Sequence, residues 1–143
     1  MDHELVFSLA GVLAMAGWVI LAVSPVLPAW SMRLAGEAIP ALMSAVYLGL
    51  IAIFPAESGG FMSFAEVSEL FSHPQALMAG WIHFLAFDLF VGGWICRTAR
   101  DEHIRFLLVL PCLPVTFLFG PAGYLCFQSV RGFSRQTRRE SVA

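Results

Sequence analysis

A chain of 143 residues that is 59% hydrophobic and 13% charged, with mean hydropathy +0.79, carries more apolar surface than a soluble fold of that size can cover. A bilayer removes the difficulty, because lipid solvates the outer faces. The net charge of −2 points to no partner, and the basic residues, all arginine, form no basic, aromatic-interleaved patch, so nucleic acid is excluded as a partner.

Met1-Asp2-His3-Glu4 is acidic where a signal peptide is positive, so the first apolar run is expected to be retained as a transmembrane helix. Its core, residues 5–23, is long enough to cross about 30 Å of hydrocarbon at about 1.5 Å per residue. Ala10, Gly11, Ala14 and Gly17 offer small surfaces for close helix approach. Ser24-Pro25 and Leu27-Pro28 break the run, and Trp30 follows at the depth of an aromatic belt. A second helix is predicted to open at Glu37, with Pro40 in its first turn, and to run to Ala56. Ala41, Ala45 and Gly49 form a stripe for a neighbouring helix, and the Tyr47 hydroxyl needs a partner if buried. After Ser58-Gly59-Gly60, residues 61–71 carry apolar side chains at i, i+3, i+4 spacing. They predict a short amphipathic helix, whose acidic polar face suits capping the bundle better than lying on anionic lipid.

The third span covers residues 75–95 and carries His83 and Asp88 within its apolar run. The charged stretch 97–105 reads as a solvated hairpin connection. The fourth span, 106–128, carries no charge but holds Pro111, Pro114, Gly120, Pro121 and Gly123. Those breakers predict a kinked or partly unwound helix whose freed carbonyls need protein or a polar cavity. An Arg-rich polar tail, residues 131–143, is expected to fray. The predicted fold is therefore all-α, an integral membrane bundle of four transmembrane helices with a short amphipathic helix between the second and third, and residues 1–130 form one domain. With four crossings the arginines divide four against four, so orientation stays open. A re-entrant fourth segment would put both arginine clusters on one side. The small-residue stripes are compatible with a homodimer.

Ionisable side chains at membrane depth are costly and mark functional sites by default. On a helical wheel His83 shares a stripe with Phe87, Phe90 and Trp94. Asp88 shares one with Trp81, Leu85 and Gly92, about 140° away. The two do not stack as an i, i+4 pair; they flank one cavity or face different neighbours. Apolar surroundings favour the neutral forms of both groups, which suits a reaction that gives and takes one proton. The competing reading is a hydrogen bond that fixes helix packing. Thr116 either back-bonds to its own helix or faces the same interior. Four histidines and three cysteines lack zinc spacing, and no HxxHH box, GxGxxG, P-loop, GxSxG or HExxH motif occurs, so neither metal nor cofactor is expected.

The run Trp81-x-His83-x-Leu-Ala-Phe-Asp88-Leu-Phe-Val-Gly92-x-Trp94-Ile resembles the abscisic-acid-deficient-four-like family. Leu110-Pro-Cys112-Leu-Pro-Val-Thr116-Phe-Leu-Phe-Gly120-Pro121-x-Gly123 and Val26-Leu-Pro-Ala-Trp30 are similar to it as well, over residues 5–127 in all. The resemblance implies a four-helix membrane protein. It also implies a link to neoxanthin synthesis, in which a carotenoid epoxide opens to an allene as a proton leaves the adjacent polyene carbon. Such an isomerase needs an acid and a base and no redox cofactor. Asp88 is the expected acid and His83 the expected base, with Trp81, Phe87, Trp94 and Thr116 lining the substrate groove. The expected partners are membrane lipid and an isoprenoid or carotenoid ligand. The alternative is a non-catalytic membrane protein that binds carotenoid or supports a biosynthetic partner. Apolar sequence from residue 5 leaves no room for a transit peptide, and the 100–106 loop departs from the plant pattern. A bacterial-type member in an inner (plasma) membrane is therefore expected.

Overall fold

A computed structural model describes residues 2–140. Helix α1 spans His3–Ala22, and the Asp2 carboxylate caps it by accepting the Leu5 N–H at 3.1 Å. Ser24 and Pro25 fall in the turn that follows, and α2 begins at Pro28, nine residues earlier than the sequence predicts. Proline at the first helical position costs nothing, since that N–H has no intrahelical partner anyway. Helix α2 runs Pro28–Ile53 through a π turn at Leu34–Ala38, where the Ile39 N–H reaches the Leu34 carbonyl. Pro40 lies just beyond and has no N–H to donate. Glu37, expected to open the helix, therefore sits inside this widened turn.

The amphipathic segment forms α3, Phe64–Leu70, capped by Ser63, whose hydroxyl accepts the Glu66 N–H at 3.2 Å. None of its residues is buried. Phe71 packs on Gly80, while Phe61, Met62 and Phe64 are exposed, so the segment caps the bundle only along one edge. Helix α4, Pro74–Asp101, is the central element, and α1, α2 and the last long helix all pack against it. It ends in a Schellman motif: Ile104 N–H bonds to Ala99 O at 2.8 Å and His103 N–H to Arg100 O at 3.0 Å, with His103 at φ 55°. One turn, α5 (Phe106–Val109), leads into α6, Cys112–Glu140.

Small residues set the spacing within the bundle. Gly17 of α1 receives Leu89, and Gly92 of α4 receives Trp18 and Leu21. Gly36 in the π turn lies against Gly93, where a Cβ on Gly93 would stand 2.6 Å from the Gly36 Cα. Just beyond, Arg97 bonds to Glu37 at 3.0 Å. The expected stripe on α2 has no such role within the chain: Ala41 and Ala45 are exposed and Gly49 has nothing within 4 Å.

Helix α6 is bent back on itself. Phe119 leaves helical geometry at φ −143°, ψ 48°, directly before Gly120 and Pro121. The Sγ atoms of Cys112 and Cys126 lie 3.3 Å apart, whereas a straight helix would separate those residues by about 21 Å. Gly123 packs on the backbone of Thr116. Residues 112–118 and 120–140 are thus two antiparallel arms. The second arm carries Arg131 and Arg135 onto Glu102 at the end of α4. Hydrogen bonds from Arg131 and then Arg135 hold the Glu102 carboxyl at about 2, well below its ordinary range. The stretch expected to be a solvated loop is therefore a clasp, and the helix runs on where fraying is predicted. Residues 141–143 of the predicted tail lie outside the described residues. Four helices, His3–Ala22, Pro28–Ile53, Pro74–Asp101 and Cys112–Thr137, are long and apolar enough to cross a membrane, as the sequence predicts.

Candidate functional site

Helices α2 and α6 make no extensive contact with each other, so a stripe of α4 between them stays uncovered. His83, Phe87 and Phe90 lie on it, all exposed. The His83 ring stacks on Phe87 at 4.7 Å and meets Tyr47 of α2 edge-on at 5.2 Å, and Phe87 meets Phe90 edge-on at 6.4 Å. Two pockets flank this ladder. One, of about 440 Å³, lies between Tyr47, Phe54, Phe61, Phe71, Gln75 and His83. The other, of about 380 Å³, lies between Glu37, Pro40, Ser44, Phe87 and Phe90. Walls this apolar suit a hydrocarbon ligand, and Tyr47, Gln75 and His83 supply the polar groups that would orient one end of it.

Asp88 faces elsewhere. It is only 7% exposed, and its Oδ2 is buried with no hydrogen-bond partner among the described residues. Its Oδ1 lies against Gly120 at the bend of α6, where any Cβ would collide with it. Gly120 therefore admits the carboxyl to the seam between α4 and α6. Asp88 thus lies against protein rather than lipid. Thr116, in the first arm, is fully buried and donates its hydroxyl to the Cys112 carbonyl at 2.7 Å, so it back-bonds to its own helix.

The aromatic residues expected to line one groove are distributed over three faces. Trp81 stacks between Phe7 of α1 and Phe84, at 5.5 Å and 5.6 Å. Phe87 lies on the open stripe. Trp94 packs against Tyr124 and Phe127 of α6, at 5.6 Å from each. His83 and Asp88 likewise point to different neighbours, one to α2 and the other to α6. Tyr47 is the group that the sequence undervalues: its position in an apolar run signals a polar interior, but nothing in the sequence pairs it with His83. Phe54, Phe61 and Phe71 are invisible as site residues because the loop and short helix that deliver them have no periodicity linking them to α4. Among the described residues no three histidine, cysteine or acidic side chains gather as a metal site.

The sequence profile of the family described as ABA DEFICIENT 4-like matches residues 5–127. No curated protein and no solved structure matches the chain. The match covers α1 through most of α6, including both pockets, and the chain belongs to the ABA4-like family.

Proposed function

We propose that this membrane protein takes an isoprenoid of the carotenoid class from the lipid phase and isomerises it by proton transfer, with His83 as the base. The observation that carries the reading is His83 itself. It is an imidazole on an otherwise apolar face, held between Phe87 and Tyr47 at the wall of a largely apolar pocket. In the reaction, His83 removes a proton from the polyene carbon next to an epoxide. The electron pair forms the new double bond of the allene, the epoxide C–O bond breaks, and an acid protonates the leaving oxygen. Atoms and electrons balance without an oxidant. Tyr47 shares the pocket with His83 and is the favoured acid. Asp88 takes the acid role only if the substrate reaches the seam at Gly120.

The separation of Asp88 from His83 favours a second reading, a carotenoid-binding protein that converts nothing. One experiment separates them: pigment profiles of carotenoid-producing membranes with and without the chain, and of the purified protein. Isomerase activity predicts an epoxide species replaced by its isomer, abolished in His83→Ala and reduced at least tenfold in Tyr47→Phe. Pigment that co-purifies unchanged supports the second reading. Neither conversion nor bound pigment would sink both.

A further inference from the structure

We infer that the fourth helical stretch enters and leaves the bilayer on the same side, and that the face it returns to is an arginine-bearing surface for the anionic lipid headgroups of one leaflet. The path of the chain requires the first part. Helix α4 ends at Asp101, where Arg100, Ile104 and Phe106 share a pocket with Ser24, Pro25 and Pro28. The α1–α2 turn and the α4–α5 turn therefore lie at one end of the bundle. From that end residues 112–118 go inward, the chain reverses at Phe119, and residues 120–140 come back. Arg131 and Arg135 then meet Glu102 at the starting level. In a straight helix Arg131 would lie about 28 Å along the axis from Cys112, at the opposite surface.

The reversal sorts the charges. Arg33, Arg97, Arg100, Arg105, Arg131 and Arg135 all fall at this end. The acids here are Glu37, Asp101 and Glu102, which leaves a net charge of +3 among the described side chains. The opposite end holds Asp2, Glu4, Glu57, Glu66 and Glu69 and no arginine, a net of −5, with Asp88 buried between. The even division of arginines that a fourth crossing would give thus becomes segregation of every arginine whose side chain is described. Segregation of that kind places the basic end on the cytoplasmic side, where the leaflet carries anionic lipid. Two further features fit a lipid surface. Arg33, Arg100 and Arg105 have no acidic partner among the described residues. Arg100 also stands at the rim of a largely apolar pocket of about 190 Å³, where an acyl chain would lie beneath its phosphate.

The test uses the full chain in the inner membrane of a bacterial host and a membrane-impermeant maleimide. Single cysteines are introduced as Ser58→Cys, Asp101→Cys and Thr137→Cys, with the unmodified chain as the blank for its own cysteines. Ser58→Cys should label in intact cells, while Asp101→Cys and Thr137→Cys should label only after permeabilisation. If Thr137→Cys labels together with Ser58→Cys, the fourth stretch crosses and the inference fails. If Asp101→Cys and Thr137→Cys both label in intact cells, the arginine face is turned away from the anionic leaflet and the headgroup assignment fails. A triple variant, Arg33→Gln with Arg100→Gln and Arg105→Gln, should lose the fixed orientation and label from both sides. Unchanged labelling in that variant would overturn the role given to these arginines.

Discussion

Gly123→Ala probes the fold-back of α6 directly. In an exposed helix interior, replacing glycine by alanine gains up to about 1 kcal/mol, because alanine gives up less backbone entropy. At position 123 the new methyl would land on the hydroxyl, the amide nitrogen and the Cα of Thr116. Two of those atoms are backbone, so no rotamer change relieves the clash and the two arms must part. Overpacking of that kind costs about 1–3 kcal/mol. Gly132→Ala is the matched control, in the same arm with nothing within 4 Å of its new methyl. The propensity gain is common to both variants, so the difference between them isolates the clash, about 1–3 kcal/mol. Denaturation by sodium dodecyl sulfate in mixed micelles, followed by helicity, reads that difference as a shift in midpoint. Equal midpoints would mean that residues 116 and 123 are not in contact, and the hairpin would be wrong.

Three further outcomes follow from the same packing. Glu102 has its carboxyl held at about 2 by Arg131 and Arg135, against an ordinary value of 4.5. A depressed acid stabilises the fold above its ordinary value and loses that contribution as pH falls through the folded value, so the clasp weakens between about 4.5 and 2. Glu102→Gln should be less stable at pH 7 and should lose part of the acid sensitivity; identical pH profiles for variant and parent would refute the clasp. Glu37→Gln removes the exposed pair with Arg97, side chains 60% and 39% exposed, and should cost less than about 1 kcal/mol, vanishing in high salt. Gly93→Ala should exceed Gly17→Ala in cost, because the first meets the Gly36 backbone and the second only the movable end of Leu89; the reverse order in the same denaturation assay would contradict the close approach at the π turn.

Much of the bundle is legible from hydropathy and punctuation alone. Apolar runs of membrane length locate all four long helices, and the wheel separation of His83 from Asp88 already argues against a stacked pair. What the sequence could not supply is tertiary. The start of α2 at Pro28 is hidden because the Ser24 to Pro28 breakers look like one long turn, and the π turn before Pro40 is held by packing against α1 and α4. The direction of α6 beyond Phe119 is equally hidden. Gly120-Pro121 signals a break but not an angle, and the angle follows from contacts between residues 14 apart, Cys112 and Cys126. Arg131 and Arg135 read as a frayed tail until that reversal brings them to Glu102.

Whether Asp88 serves the fold or the proposed chemistry can be tested by substitution. A buried carboxyl oxygen without a partner stabilises nothing and costs free energy in apolar surroundings. Its contact with Gly120 is steric, and Gly120 accommodates it only by lacking a side chain. If Asp88 served packing, a donor would face Oδ2, and among the described residues none does. Asp88→Asn keeps the shape and removes the ionisable group, so it should leave the unfolding midpoint within about 1 kcal/mol of the parent. If the acid acts on substrate, the same variant should lose conversion while still retaining pigment. A loss of stability well beyond that range would assign Asp88 to the fold and remove it from the chemistry. A stable variant with full conversion would leave the acid role to Tyr47.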